Sequence, residues 1–184
     1  MTCIVSFVAD DKTIYIGGDS AGSNDYTVRN RSNPKVFING EFIIGYTSSF
    51  RMGQILQFSL KPPKYIEELH GTIFQYMCTE FINSIRQCLT SGGYARVDAG
   101  EESGGDFIVG FKGKLFKIFS DYQVSENVEN YEAAGCGEAY ALGSLYASVK
   151  DEPEEIIKEA LECAEYFSPF VRAPFTILKL ENTK

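Results

Sequence analysis

Over the first 46 residues the apolar positions alternate with polar ones or gather in short runs, which predicts strands at 3–8, 13–18, 35–38 and 41–46. Turn signals part them: Asp10-Asp11-Lys12, a polar irregular stretch ending at Pro34, and Asn39-Gly40. The last pair suits a type I′ turn, in which both central residues need positive φ. Helical spacing then takes over at 50–60 and in a longer segment at 65–89, separated by Pro62-Pro63 and closed by Gly92-Gly93. In the longer segment Ile66, Leu69, Ile73, Met77, Phe81, Ile85 and Leu89 recur every three or four residues, a stripe that reads as core packing. Residues 91–104 are polar and Gly-rich, which predicts a mobile loop.

Strands return at 107–111 and 115–119 around a Lys112-Gly113-Lys114 turn, and a short one at 131–134 runs into Gly135-Cys136-Gly137. Helices follow at 138–149 and 153–167, the second with Pro at its start and acids in its first turn, then a last strand at 175–180. Strands that come in blocks argue against a doubly wound parallel sheet. They favour antiparallel sheets with helices packed outside, in layers.

The length of 184 residues fits one domain, 1–184. Seventeen Lys and Arg against 25 Asp and Glu leave a net charge of -8, which disfavours nucleic-acid phosphates and anionic membrane surfaces as partners. The apolar runs reach about half a dozen residues, short of the roughly 18 needed to span a bilayer, and no basic-then-apolar leader opens the chain, so a soluble cytoplasmic protein is expected. The five cysteines (Cys3, Cys78, Cys88, Cys136, Cys163) are widely spaced without a C-x-x-C, as expected of small apolar residues in a reducing compartment. His70 is the single histidine, so any His-dependent mechanism would have to use it.

Phosphate-loop, dinucleotide and zinc-protease motifs are absent. Gly18-Asp19-Ser20-Ala21-Gly22 fits G-x-S-x-G, but no helix pattern follows it and His70 lies too early to complete a serine triad. Thr2 offers a different chemistry. Once Met1 is removed, Thr2 carries a hydroxyl and a free α-amine whose ordinary pKa is about 7.7 to 8, so nucleophile and base share one residue and no histidine is needed. Cys3 is the alternative attacker, but strand alternation turns it to the opposite face from Thr2.

Four segments of the first half carry a resemblance: Thr2-Cys3-Ile4-Val5, Ile14-Tyr15-Ile16-Gly17-Gly18-Asp19-Ser20, Asn33-Pro34-Lys35-Val36-Phe37 and Ile43-Ile44-Gly45. Gly135-Cys136-Gly137-Glu138-Ala139-Tyr140-Ala141-Leu142-Gly143 and Ala160-Leu161-Glu162-Cys163-Ala164 extend it through the second half. Together they resemble proteasome β-type subunits and HslV. The resemblance implies an α+β fold, the four-layer αββα sandwich of two antiparallel sheets flanked by helices that typifies N-terminal nucleophile hydrolases. It places Thr2 on the nucleophile, Asp19 on the conserved acid, Lys35 on the catalytic lysine and Gly45 on a backbone oxyanion donor. Independent of it, a lysine cation beside the hydroxyl and amine favours loss of their protons, and a carboxylate keeps that lysine charged and aimed.

The resemblance further implies a threonine peptidase acting on peptides or unfolded protein, self-assembled into a homo-oligomeric ring, served by an ATP-dependent unfoldase and needing no metal or organic cofactor. Three positions depart from the family pattern. Cys136 stands where a serine usually supports the terminal amine, Tyr166-Phe167-Ser168-Pro169 where many active members carry Asp then Ser, and Thr47-Ser48-Ser49 replaces a glycine-rich stretch. These keep two other readings in view, a catalytically silent structural subunit and a small-molecule amidase of the same fold.

Overall fold

The computed structural model describes residues 2–24 and 26–182. Two antiparallel sheets dominate it. A four-stranded sheet runs in the order β12 (Tyr131–Gly135), β1 (Cys3–Val8), β2 (Ile14–Gly18), β13 (Thr176–Leu180). A five-stranded sheet runs β11 (Val124–Glu126), β10 (Lys114–Ile118), β9 (Phe107–Phe111), β6 (Phe42–Tyr46), β5 (Val36–Asn39). Short hairpins join β3 (Ala21–Ser23) to β4 (Val28–Asn30) and β7 (Arg96–Asp98) to β8 (Glu101–Ser103). The helices are α1 (Phe50–Phe58), α2 (Glu67–His70), α3 (Ile73–Tyr76), α4 (Ile82–Ser91), α5 (Glu138–Ala147) and α6 (Pro153–Phe167). The architecture is thus mixed α and β with antiparallel sheets, as the blocks of strands predict.

Three buried clusters hold these elements together. Phe42, Ile44, Val109 and Phe116 of the five-stranded sheet pack with Met52 and Leu56 of α1 and Ile85 and Leu89 of α4. Val5 and Ala133 of the other sheet pack with Ala141 and Leu145 of α5 and Ile157, Ala160 and Leu161 of α6. Ile4, Ile14 and Ile16 meet Val36, Ile43 and Ile108 from the opposite sheet. Burial of such side chains stabilises by about 1.5–3 kcal/mol each.

Several local expectations are revised. The β5–β6 hairpin turns at Gly40-Glu41, because Asn39 pairs with Phe42, and only Gly40 has positive φ, at 61°. That is the requirement of a type II′ turn, not I′. The I′ signature falls at Lys112-Gly113, with φ of 46° and 72°. The single helix expected at 65–89 is broken at Gly71 (φ 69°), after which Thr72 and Gln75 form a capping box that starts a new helix. Ile66 and Leu69 consequently stay exposed, while Met77, Phe81, Ile85 and Leu89 are fully buried. A step of four residues overshoots the α-helical turn, and a π-helical turn at Met77–Phe81 takes up the drift. The stretch read as a mobile loop contains the β7–β8 hairpin, tied to α4 by Arg86 Nε and Glu102 Oε2 at 2.8 Å.

Gly45 lies between the sheets, where a Cβ would come within 2.5 Å of Ile4 Cγ2 and 2.9 Å of Ile16 Cγ2. Gly143, on the outer side of α5, has nothing within 4 Å. Urea unfolding of Gly45→Ala should therefore show a loss of about 1–3 kcal/mol from overpacking. Gly143→Ala should show a gain of roughly 0.5–1 kcal/mol from helix propensity.

Candidate active site

Three segments far apart in sequence converge on the start of β1. Antiparallel pairing lays the end of β2 beside it, so that Asp19 N–H donates to Cys3 O at 3.3 Å while Asp19 Oδ1 accepts the Cys3 N–H at 3.0 Å. From the other sheet, Lys35 enters just ahead of β5, where its carbonyl accepts the Tyr46 N–H at 3.0 Å. Its ammonium donates to Asp19 Oδ1 at 2.7 Å, with Lys35 1% and Asp19 2% exposed. Asp19 Oδ2 takes the N–H groups of Ala21 at 2.9 Å and Arg172 at 3.4 Å. The carboxylate thus receives three backbone amides and one cation, the condition under which a buried charge is tolerated. Burial pushes the Lys35 ammonium below the ordinary lysine range, and the Asp19 charge and hydrogen bond oppose that shift.

Thr2 and Lys35 line one small pocket, of about 70 Å³. The turn 47–49 and Phe50, the first residue of α1, close it, with the Phe50 ring centroid 5.7 Å from Lys35 Nζ. Thr47 Oγ1 donates to Asp106 O at 2.7 Å and the Asp106 N–H donates to Ser48 Oγ at 3.0 Å, which tie this turn to the start of β9. Tyr46 and Ser23 complete the wall. Burial pushes the Tyr46 hydroxyl up to about 12, so it stays a neutral phenol. Ser23 Oγ is buried with no hydrogen-bond partner among the described residues, which leaves a donor and acceptor in the pocket wall for a ligand or water. A larger cavity of about 270 Å³, lined by Ile14, Gly40, Lys112 and Leu180 among others, includes none of Thr2, Asp19, Lys35, Gly45 and Cys136.

Cys136 joins the site from the far end of the chain. Gly135 ends β12 with φ 99°, and a Cβ there would lie 2.2 Å from Thr2 O, so only glycine lets this turn approach the Thr2 backbone. Cys136 Sγ accepts the Thr2 N–H at 3.2 Å and donates to Thr2 O at 3.3 Å. Removal of Met1, on which a free Thr2 amine depends, concerns a residue outside those described. Cys3 faces away into the cluster under α5 and α6, fully buried, where desolvation and then the Asp19 charge push its thiol far above the usual range.

Gly45 does not line the pocket, and its expected place as an oxyanion donor needs correction. Successive N–H groups of a strand alternate between its two neighbours. Tyr46 N–H donates to Lys35 O on β5's side and Thr47 N–H to Asp106 O on β9's side, so the Gly45 N–H points toward Ile108 in the ladder. Its glycine character answers to packing between the sheets. Conversely, Ser168 was visible in the sequence only as part of a departing stretch. It is 5% exposed, and its Oγ lies 3.8 Å from Cys136 Sγ and accepts the Phe170 N–H at 3.4 Å. No local signal marks it, because its partner is supplied by a different element.

The buried pair makes a stability prediction. Asp19→Asn or Lys35→Met alone should each cost about 3–5 kcal/mol in urea titration, since either leaves an uncompensated buried partner. The double variant should lose less than the sum of the two.

No protein-family model matches the sequence, and no curated protein matches it. Solved structures do match in shape. BPH from Thiobacillus denitrificans, in complex with epoxomicin, superposes with a TM-score of 0.76 at 19% identity, covering 98% of this chain and 100% of that one. Eukaryotic HslV from Trypanosoma brucei gives 0.67 at 20% identity, with 98% and 99% covered. The Anbu (Gly-1) mutant from Hyphomicrobium sp. strain MC1 gives 0.67 at 12% identity, with 98% and 82% covered. At these identities the likeness is one of fold, and the chain has the HslV-like fold.

Proposed function

We propose that the chain is a single-domain, cytoplasmic threonine peptidase of the proteasome β and HslV type, built as a four-layer sandwich in the order helices, sheet, sheet, helices. The observation that carries this reading is the placement of Thr2 and Lys35 in one pocket, with Lys35 held by the buried Asp19. The HslV-like fold supports it.

Removal of Met1 frees the Thr2 amine, which takes the hydroxyl proton directly or through water as the oxygen attacks the substrate carbonyl. Lys35 stabilises the developing negative charge on that oxygen and favours the unprotonated amine, while Asp19 keeps the lysine charged and aimed. The oxyanion role falls to the start of α1, where Phe50 lines the pocket, since the N–H groups of a first helical turn and the helix dipole both favour negative charge there. The C–N bond of the substrate breaks, the amine product leaves with the proton, and water hydrolyses the acyl ester on Thr2. Peptide or unfolded protein is the substrate, a homo-oligomeric ring the assembly, and an ATP-driven unfoldase the source of extended chain.

A silent structural subunit is the second reading, and Cys136 favours it: a thiol is a weaker hydrogen-bonding partner for the Thr2 nitrogen than a hydroxyl. Intact mass spectrometry separates the two. An enzyme lacks Met1 and gains the mass of epoxomicin, the molecule bound in the BPH structure, on Thr2. Thr2→Ala abolishes that gain and Cys136→Ser raises its rate. A retained Met1 with no mass gain sinks the enzyme reading.

A pH dependence follows from Lys35. Its ammonium titrates below the ordinary lysine value, so the labelling rate should fall on an alkaline limb below about pH 10.4. Asp19→Asn removes the charge that opposes the shift and should move this limb to lower pH, measured by labelling rate across a pH series.

A further inference from the structure

Lys117 takes no part in the chemistry described above, yet it is 9% exposed. It sits within β10, opposite Ile108 of β9 and Ser125 of β11, and its side chain reaches across to the other sheet. The ammonium donates to Ala133 O at 3.0 Å and to Glu138 Oε1 at 2.6 Å, with Glu132 Oε1 at 4.0 Å. Glu132 Oε1 also accepts the Ala133 N–H at 2.9 Å. An ammonium gives up hydration to reach such a place, and an apolar side chain would fill the same volume without that loss.

What distinguishes the partners is their position. Ala133 stands two residues before the Gly135-Cys136-Gly137 turn and Glu138 directly after it, so one cation grips the turn on both flanks. The turn, which joins β12 to α5, also touches Thr2. Cys136 Sγ meets both the nitrogen and the carbonyl of Thr2, and Gly135 approaches too closely for any Cβ. A loop held only by its own backbone would be free to lift by the ångström or so that breaks a thiol hydrogen bond.

We propose that Lys117 is a positioning residue that clamps the Gly135-Cys136-Gly137 turn against Thr2 and so keeps the Cys136 thiol on the Thr2 nitrogen. Its consequence for turnover rests on the reading of Thr2 as nucleophile, whereas the clamp itself stands on geometry alone.

Two rates measured on the full chain test it: alkylation of Cys136 by iodoacetamide, followed by peptide mass spectrometry, and epoxomicin labelling of Thr2. Lys117→Met should raise the Cys136 rate severalfold and lower Thr2 labelling by roughly tenfold or more, as small misplacements at a reacting centre do. Lys117→Arg, which keeps the charge and donors, should restore most of both. Cys3, fully buried, is the internal reference and should stay unreactive in every variant, which separates release of the turn from general unfolding. An unchanged Cys136 rate in Lys117→Met overturns the proposal. Should that variant expose Cys3, Glu138→Ala removes one grip at a partly exposed helix start and is expected to shift the Cys136 rate in the same direction; no shift overturns the clamp. If wild-type Thr2 takes no label, the nucleophile reading fails while the Cys136 rates still decide the clamp.

Discussion

The ion pair between Asp19 and Lys35 is the constraint on which the rest of the site depends. Two opposite charges are held out of water at 2.7 Å, one contributed by the end of β2 and the other by the start of β5. Neither sheet can slide or open at that end without separating them. Because Asp19 also takes amide protons from Cys3, Ala21 and Arg172, the same carboxylate draws in the first strand, the β3 hairpin and the segment ahead of β13. Thr2 sits one residue from the bonded Cys3 amide, so its place follows from this arrangement. Pairs of this kind add little net stability when compared with apolar residues, and specify geometry instead.

The apolar contacts between the sheets set how closely the two halves of the site approach. Ile4 and Ile16 on one face lie over Gly45 and Val36 on the other, and the missing side chain at position 45 is what admits them. A larger residue there would push the sheets apart beside Lys35, whose carbonyl is bonded to the next residue, Tyr46. Packing and charge therefore act on the same few residues: the glycine fixes the separation, and the ion pair fixes the register across it.

The thiol at position 136 is the feature that sets this site apart chemically. It is brought to the Thr2 backbone by a turn with a left-handed glycine and by contacts of its two flanks with a buried lysine from the opposite sheet. Ser168, at the end of α6, stands behind it. Thr2 and Ser168 thus meet at one sulfur atom whose turn is flanked by the Lys117 contacts, which makes the neighbourhood of the Thr2 nitrogen sensitive to changes well outside the pocket.

Much of the fold was legible from residue pattern. The short apolar run at Cys3–Val8 and the stripe and proline start of Pro153–Phe167 are local signals, and both elements form with those bounds. Thr2, Asp19 and Lys35 were legible as a set only through resemblance, since nothing in their spacing says that they meet. Other features lay beyond pattern. The helix broke at Gly71, the hairpin turned at Gly40-Glu41, and Gly45 proved to serve sheet packing. In each case the outcome depends on pairing register or on what lies opposite. Lys117 and Ser168 make the same point, because each acquires its partners from elements distant along the chain. Local propensity and periodicity determine which segments become strands and helices, since those depend on neighbours within a turn or two. Which side chains share a pocket depends on how sheets stack face to face, and that was decided only when the buried apolar residues and the Asp19–Lys35 ion pair were satisfied together.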